Sequence, residues 1–249
     1  MAHSQWEVIK LKKAKVDSVK NAIYTRHARA IMVAARHGEP TPEANFALRS
    51  AIEKARIAGL PNDNIERAIK KGAGQLDGQE LEALRYEGYG PGGIAVIMEI
   101  LTDNRNRTAA EVREAFTKVG CSLGETGCVS WMFNQKGLLK LSGSLDEEAL
   151  LLAVADAGGE DVQWSATQAT VICDYTQLDP VGTALRDQGW PVTEMGLAWL
   201  PNHVVRVDAV DTAKKVLLLM DRLDALDDVQ ECFANFEMED EILQAIAGS

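Results

Sequence analysis

The spacing of apolar residues changes near residue 78, and this change is the strongest constraint on how the chain can fold. Up to Gly72 the apolar residues follow a helical period, whereas beyond Gly78 short apolar runs alternate with amphipathic helical segments. The stretch between these two glycines has the composition of a linker. We therefore expect an all-helical N-terminal region followed by a larger α+β region.

Three helices are predicted in the N-terminal region. They are a helix around residues 24–37 that ends before Pro40, a second over 42–58 that stops at Gly59, and a third from Asn62 or Asp63 to Gly72. Helices joined by such short connections pack into a small bundle.

The α+β region predicts two copies of the order β-α-β-β-α-β, which is typical of the ferredoxin-like fold. The inner copy has strands at 137–141, 161–164, 170–175 and 194–200 and helices at 146–157 and 180–188. The outer copy is split around it, with strand 94–102, helix 108–119 and strand 127–133 before it, and strand 204–207, helix 212–226 and strand 229–236 after it. A capping box at Thr108 is expected to open the helix at 108–119.

The fold class is therefore predicted as α+β, with an N-terminal three-helix domain followed by two ferredoxin-like domains, one inserted in the other. The predicted domains are residues 1–76 for the basic arm and helical bundle, 77–134 plus 201–249 for the discontinuous domain, and 135–200 for the inserted domain.

Positive charge is concentrated in the N-terminal region although the chain as a whole is acidic. The net charge is −11, yet residues 1–72 hold 14 Lys/Arg against 7 Asp/Glu, a net of +7. Residues 73–249 hold the remaining 12 Lys/Arg and 30 Asp/Glu, a net of −18. This asymmetry favours contact between the basic part and a nucleic acid, with the acidic body restricting contact to one surface.

Two groups of basic residues are candidate phosphate contacts. The first group comprises the N-terminal lysines and three arginines of the first helix: Lys10, Lys12, Lys13, Lys15, Lys20, Arg26, Arg29 and Arg36. The second is Arg105 and Arg107, next to a predicted helix N-terminus, where anions bind favourably. The alternatives are an ordinary solvated helix face and a polar turn, and the residues alone leave both open.

The glycine-rich segment that ends at Gly93 is the most unusual local sequence. Its candidate members are Tyr86, Tyr89, Gly90, Pro91, Gly92 and Gly93. One hypothesis is a surface loop whose backbone approaches phosphate while its tyrosines stack on bases. The alternative is a tight turn that leads into the strand at Ile94.

Signals of catalysis and of metal binding are weak. The histidines show no metal-ligand spacing, and the cysteines (Cys121, Cys128, Cys173 and Cys232) are spread too widely for a zinc site, so we expect small buried side chains. Acidic pairs such as Asp227-Asp228 are expected at helix ends or on the surface. No apolar run approaches the roughly 20 residues of a membrane helix. We therefore predict a cytoplasmic, non-enzymatic protein with no cofactor, metal or membrane partner.

Four segments carry a resemblance that covers essentially the whole chain. They are Leu60–Gly72, Tyr86–Gly93, Asp103–Thr108 with the following Ala110-Glu111-Val112-Arg113, and Asp227–Glu231. With them the sequence resembles the YebC family of bacterial regulatory proteins, whose mitochondrial relative is the translational activator of cytochrome oxidase. The resemblance implies a helical N-terminal domain, two α/β domains and no enzymatic activity. The N-terminal arm is less basic than is usual in that family, with Gln5 in place of a lysine.

Three functions follow as hypotheses. The first, which the resemblance favours, is a DNA-binding transcriptional regulator, although helix 62–71 offers only Asn64, Arg67 and Lys71 on a related face for reading bases. The second is a translation factor that binds rRNA or tRNA on the ribosome and assists synthesis of proline-rich stretches. The third is a module that senses a ligand or protein partner through an apolar sheet face.

Overall fold

Three helices form the N-terminal part of the computed structural model, which describes residues 18–75, 81–165 and 168–247. They are α1 (Ser18–His37), α2 (Phe46–Ile57) and α3 (Asn62–Gly72). Their apolar faces share one core built from Ile31, Leu48, Ile52, Leu60 and Ile65. The predicted N-terminal helices are confirmed.

The connections between these helices are short and locally specified. The second helix begins at Phe46 rather than at residue 42, because Asn45 caps it by accepting a hydrogen bond from the Leu48 amide at 3.0 Å. The turn from α2 to α3 contains Gly59 in the left-handed region, at φ +84°. At the far end of α3, a Cβ on Gly72 would lie 2.3 Å from the carbonyl oxygen of Met32, so glycine permits the close approach of α3 to α1.

Five further α-helices and ten β-strands are described after the bundle. They are β1 (Glu82–Tyr89), β2 (Ala95–Thr102), α4 (Arg105–Thr117), β3 (Ser122–Leu123), β4 (Phe133–Ser142), α5 (Glu147–Ala157), β5 (Asp161–Trp164), β6 (Gln168–Asp174), α6 (Leu178–Asp187), β7 (Val192–Pro201), β8 (Val205–Arg206), α7 (Val210–Asp224), β9 (Val229–Ala234), β10 (Phe236–Glu237) and α8 (Asp240–Ala247).

The described chain divides into two compact units. One takes in the described residues up to Asn134 and from Leu200 onward, and the other is Gln135–Trp199. The second unit follows the order β-α-β-β-α-β and arranges its sheet as β5-β6-β4-β7. This is the ferredoxin-like order.

The first unit builds a four-stranded sheet in the order β3-β1-β2-β9. The strand expected over 127–133 is instead a turn and a short 3-10 helix, and the sheet is completed by β1, which pairs antiparallel with β2 from Glu82 opposite Thr102 to Tyr89 opposite Ala95. The predicted strand at 204–207 is the short β8, which pairs with β10 in a separate two-stranded sheet. The outer sheet therefore arises from β-β-α-β and α-β segments around the insertion, rather than from β-α-β-β-α-β.

A buried glutamate explains why residues 127–133 are not a strand. The side chain of Glu87, in β1, is almost fully buried and accepts hydrogen bonds from the amides of Gly127, Val129 and Ser130 at 2.8–3.0 Å. These amides are turned towards one carboxylate and do not form a ladder. Burial raises the pKa of Glu87, but the three amide hydrogen bonds outweigh this effect and place the pKa below its ordinary value.

The sheet of the first unit is covered by helices because its central strand is apolar on both faces. Val96, Met98 and Ile100 of β2 pack into one core with residues of α4 and α7, including Phe116 and Leu219. On the bundle side, α1 packs against β9, and Lys54 of α2 forms an ion pair with Glu231 of β9 at 3.0 Å. Within the described ranges, no helix combines the length and the apolar character needed to cross a membrane.

Candidate nucleic-acid interface

A buried carboxylate forms ion pairs with two of the arginines that were predicted from the sequence as phosphate contacts. The side chain of Asp228 is 2% exposed and forms an ion pair with Arg29 at 2.5 Å and another with Arg107 at 2.7 Å. The hydroxyls of Thr108 and Thr102 donate to the same carboxylate at 2.6 and 3.1 Å. We call these five residues the Asp228 cluster.

The Asp228 cluster joins four parts of the first unit: α1, β2, α4 and the segment before β9. The Leu101 amide also donates to the Asp228 carbonyl at 2.8 Å, which fixes the backbone of that segment against β2. The expectation that Asp227-Asp228 lies on the surface is wrong for Asp228, which is buried. Its partners come from elements distant in sequence, so the local sequence does not reveal this burial. The same contacts keep Arg29 and Arg107 paired within the protein.

Electrostatics keep the Asp228 carboxylate ionised. Burial raises its pKa, but the hydrogen bonds from Arg107 and Thr108 and the charge of Arg29 outweigh the burial, so the pKa lies below its ordinary value. The hydrogen bonds to Asp228 and Asp103 in turn raise the pKa of the Arg107 guanidinium. The cluster is therefore a charge-assisted network whose members are already satisfied.

Helix α4 begins three residues before the predicted capping box. Asn104 caps the helix by accepting from the Arg107 amide at 3.1 Å, so the first helical residue is Arg105. Thr108 lies inside the helix and gives its hydroxyl to Asp228 instead of capping. Arg105 is 65% exposed and has an ion-pair distance of 3.8 Å to Glu82, so the two candidate arginines of this segment occupy different environments.

The candidate basic residues of the N-terminal region also occupy different environments. Arg26 donates to the carbonyl oxygen of Asp224 at 2.5 Å, at the C-terminal end of α7. Arg36 lies exposed near the end of α1, and Lys20 lies in the first turn of that helix. The remaining lysines lie outside the described residues: Lys10, Lys12, Lys13 and Lys15.

The glycine-rich segment forms the hairpin between β1 and β2. Gly92 and Gly93 have φ values of +75° and +77°, and the Gly90 amide closes the turn by donating to the Ile94 carbonyl at 2.8 Å. Buried Pro91 opens its 3-10 turn. A Cβ on Gly90 would lie 2.9 Å from Ile94 and 3.0 Å from Leu219, so the turn packs tightly on the core.

Both tyrosines of that segment lie in β1, before the turn. The Tyr89 hydroxyl donates to the Cys128 carbonyl at 3.0 Å, and the Tyr86 hydroxyl donates to the Arg105 carbonyl at 3.4 Å. This geometry agrees with the tight-turn alternative. Base stacking by Tyr86 and Tyr89 stays a prediction.

An open groove of about 270 Å³ lies between α1 and α3. Its lining includes Tyr24, Met32, Leu60, Asn64, Arg67 and Lys71. The spacing of the last three residues along α3 was visible in the sequence, but the residues of α1 that complete the groove became apparent only from the packing. We call this feature the α1/α3 groove.

The described residues contain no cluster of histidine, cysteine, aspartate or glutamate that would hold a metal ion. Cys173 and Cys232 are buried, whereas Cys121 and Cys128 are half-buried, and none of these four described cysteines forms a disulfide. Burial raises the pKa of Cys173 to about 11, which disfavours the reactive thiolate.

Family models match nearly the whole chain in two parts. The model of the TACO1/YebC protein N-terminal domain matches residues 4–75, and the model of the TACO1/YebC second and third domain matches residues 81–236. This chain belongs to the TACO1/YebC family.

Relatives of the TACO1/YebC protein are similar over their full length. A probable transcriptional regulatory protein of Synechococcus sp. (strain JA-3-3Ab) is 58% identical and covers 98% of this chain and 99% of its own. Another of that description, from Gloeothece citriformis, is 51% identical over 97% of each chain. The crystal structure of a conserved hypothetical protein from Aquifex aeolicus shares 45% identity with a TM-score of 0.84, covering 93% of this chain and 96% of that one. The resemblance read from the sequence is therefore confirmed, and so is the α+β class with N-terminal helices.

Proposed function

We propose that this TACO1/YebC protein is a non-enzymatic regulator of gene expression that binds nucleic acid through its basic helical N-terminal region and acts in the cytoplasm. The observation that carries the proposal is the charge contrast: a net of +7 over residues 1–72 against −18 over the rest. A polyanion is attracted to the first region and repelled by the second. The names of the relatives, probable transcriptional regulatory proteins, support the same class.

The nucleic-acid-binding residues are assigned by combining this contrast with the contacts. We assign phosphate contact to the lysines of the N-terminal segment and to the exposed cations of the bundle, Arg36, Arg67 and Lys70. Arg29 and Arg107 are assigned to the stability of the fold, because the buried Asp228 already pairs with both.

DNA is the first candidate polymer. Helices α2 and α3 are joined by a four-residue turn that contains Gly59 with positive φ, which is the type of connection found in helix-turn-helix proteins. The first turns of α3 expose Asn62, Asp63 and Asn64, and amide side chains at such positions read base edges in the major groove. These features support a DNA-binding transcriptional regulator.

RNA on the ribosome is the second candidate, and a specific observation favours it. The α1/α3 groove has an apolar floor that suits the flat face of a base, and a base inside a duplex presents only its edges. Ribosomal RNA and tRNA offer unpaired bases in loops.

One experiment separates the two candidates. Tagged protein from a cell lysate is sedimented through a sucrose gradient at low and moderate salt, with and without DNase. Co-migration with ribosomes that survives DNase supports the translation factor, whereas recovery on DNA and absence from ribosomal fractions supports the transcriptional regulator. Protein that stays at the top of the gradient, in either salt and regardless of DNase, contradicts the proposal.

A further inference from the structure

The α1/α3 groove is lined by three kinds of side chain: aromatic or apolar, cationic and amide. Tyr24 and Met32 of α1, with Leu60 before α3, provide an aromatic and apolar floor. Arg67 and Lys71 provide two cations on one edge, and Asn64 provides an amide. Its volume of about 270 Å³ is just below the roughly 300 Å³ at which pockets for drug-sized ligands begin. The groove therefore suits a group about the size of one planar ring system.

The cations of the groove are available for a ligand. Among the residues that the structure describes, neither Arg67 nor Lys71 forms an ion pair or a hydrogen bond through its side chain. They stand one helical turn apart on α3, so both point to the same side of the helix. This contrasts with Arg29, which a buried carboxylate neutralises. Two cations one turn apart that pair with no described residue suit a phosphodiester.

Asn64 gives the groove a way to contact the edge of a base. Its amide offers both donors and an acceptor, and it lies three residues before Arg67 on the same face of α3. The acidic side chains of α3, Asp63 and Glu66, do not line the groove. The groove thus presents a floor, a polar edge and a cationic edge in one place.

We infer that the α1/α3 groove binds a single unpaired nucleotide of RNA, with its base on the floor formed by Tyr24, Met32 and Leu60 and its phosphate between Arg67 and Lys71. The inference rests on the proposed nucleic-acid binding and names what this site takes. RNA is the source because its loops hold bases that are unstacked and free to enter a groove, whereas the bases of duplex DNA stay stacked. Stacking on an aromatic floor is tolerant of base identity, so the site selects unpaired over paired bases rather than one sequence.

The test measures fluorescence anisotropy of a fluorescein-labelled, ten-nucleotide single-stranded RNA with the full-length protein, beside the same RNA annealed to its complement. We expect Tyr24→Ala to weaken single-strand binding by roughly tenfold, because stacking on one aromatic side chain contributes about that much. Tyr24→Phe keeps the ring and is expected to bind like the wild type. Neither change is expected to alter duplex binding.

A matched pair of lysines tests the cationic edge. Lys71 lines the groove, whereas Lys70 is its neighbour with the same charge, exposed on another side of α3. We expect Lys71→Ala to weaken single-strand binding several-fold more than Lys70→Ala. Melting temperatures of all variants establish that each is folded, and the comparison of Lys71→Ala with Lys70→Ala tests the groove if Tyr24→Ala unfolds.

The outcomes distinguish the groove from the proposed function. Wild-type protein that binds no nucleic acid contradicts the proposed function itself. If the wild type binds nucleic acid, the proposed function stands, and any of three results overturns the groove. These are that Tyr24→Ala binds single-stranded RNA as tightly as the wild type, that Lys70→Ala and Lys71→Ala weaken that binding equally, or that the variants lose duplex binding to the same extent as single-strand binding. Displacement of the RNA by polyglutamate at equal charge concentration would also overturn it, because the site would then belong to an acidic peptide.

Discussion

The Asp228 cluster and the α1/α3 groove both contain arginine, but they place it in opposite environments. In the cluster, a carboxylate that is 2% exposed pairs with Arg29 and Arg107. In the groove, Arg67 and Lys71 stand beside an apolar floor with no acidic lining residue. The arginines of the Asp228 cluster therefore stabilise the fold, whereas the cations of the α1/α3 groove can bind a ligand. The residue type alone does not distinguish these two roles.

The largest effect is expected from removing the carboxylate at the centre of the cluster. Asp228→Ala removes the carboxylate that pairs with Arg29 and leaves Arg107 with Asp103 alone, and breaking a buried ion pair in this way costs about 3–5 kcal/mol of the free energy of unfolding. Equilibrium urea unfolding measures this loss. Asp227→Ala removes a neighbouring, exposed carboxylate and is expected to change the free energy by less than about 0.5 kcal/mol.

The nucleic-acid affinity of Asp228→Ala tests whether the Asp228 cluster also takes part in binding. We expect Asp228→Ala to bind nucleic acid no more weakly than the wild type under conditions where it is folded. Equal stabilities of Asp227→Ala and Asp228→Ala would show that the cluster does not hold the first unit together.

The contrast between regions also explains how much the sequence predicted. The helices of the bundle and the elements of the inserted unit follow from apolar periodicity and from glycine or proline stops, which act within a few residues. The strand β1 was missed because Tyr86-Glu87-Gly88-Tyr89 contains a charge and a glycine, both unusual in a central strand. Glu87 is tolerated there because amides some 40 residues away satisfy it.

The functional residues were harder to predict, for a related reason. Asp228 meets Arg29 across 199 positions of sequence and Arg107 across 121, so no local pattern reveals that these charges cancel. In the groove, the spacing of Asn64, Arg67 and Lys71 was recognisable as one helix face. Its meaning depends on Tyr24 and Met32, which are brought there by the packing of α1 on α3.

A second stability difference separates the two candidate arginines of helix α4. Arg107→Ala removes two hydrogen bonds to carboxylates, and because this side chain is 42% exposed we expect a loss of only about 1.5 kcal/mol. Arg105→Ala, on an exposed side chain in the same turn, is expected to be nearly neutral. Urea unfolding of both variants checks this order. Arg107→Ala with unchanged stability and weakened nucleic-acid binding would return Arg107 to the interface.

At the α1/α3 groove we expect a loss of comparable size in the free energy of RNA binding, rather than in the free energy of unfolding. For the double variant Arg67→Ala/Lys71→Ala we expect the slope of log affinity against log salt for single-stranded RNA to fall in magnitude by about 0.7, because the two side chains together neutralise one phosphate. Titrations at several salt concentrations measure the slope. The melting temperature is expected to stay near that of the wild type, since neither side chain is buried. A full slope retained with weaker binding would mean that the loss is not electrostatic.

The smallest effect is expected from the dependence of stability on pH. It separates the Asp228 cluster from the α1/α3 groove, because only the cluster contains a carboxylate. The pKa of Asp228 is lowered by folding, so its contribution to stability is present above the unfolded-state pKa of about 3.9 and is lost as the pH falls below that value. The free energies of unfolding of the wild type and of Asp228→Asn should therefore differ by a constant amount between about pH 5 and pH 7, and converge below about pH 4. Urea unfolding across this range measures the difference, with Asp227→Asn as the control that should track the wild type. Convergence at pH 6, or no narrowing of the difference by pH 2.5, would show that Asp228 is not the titrating group.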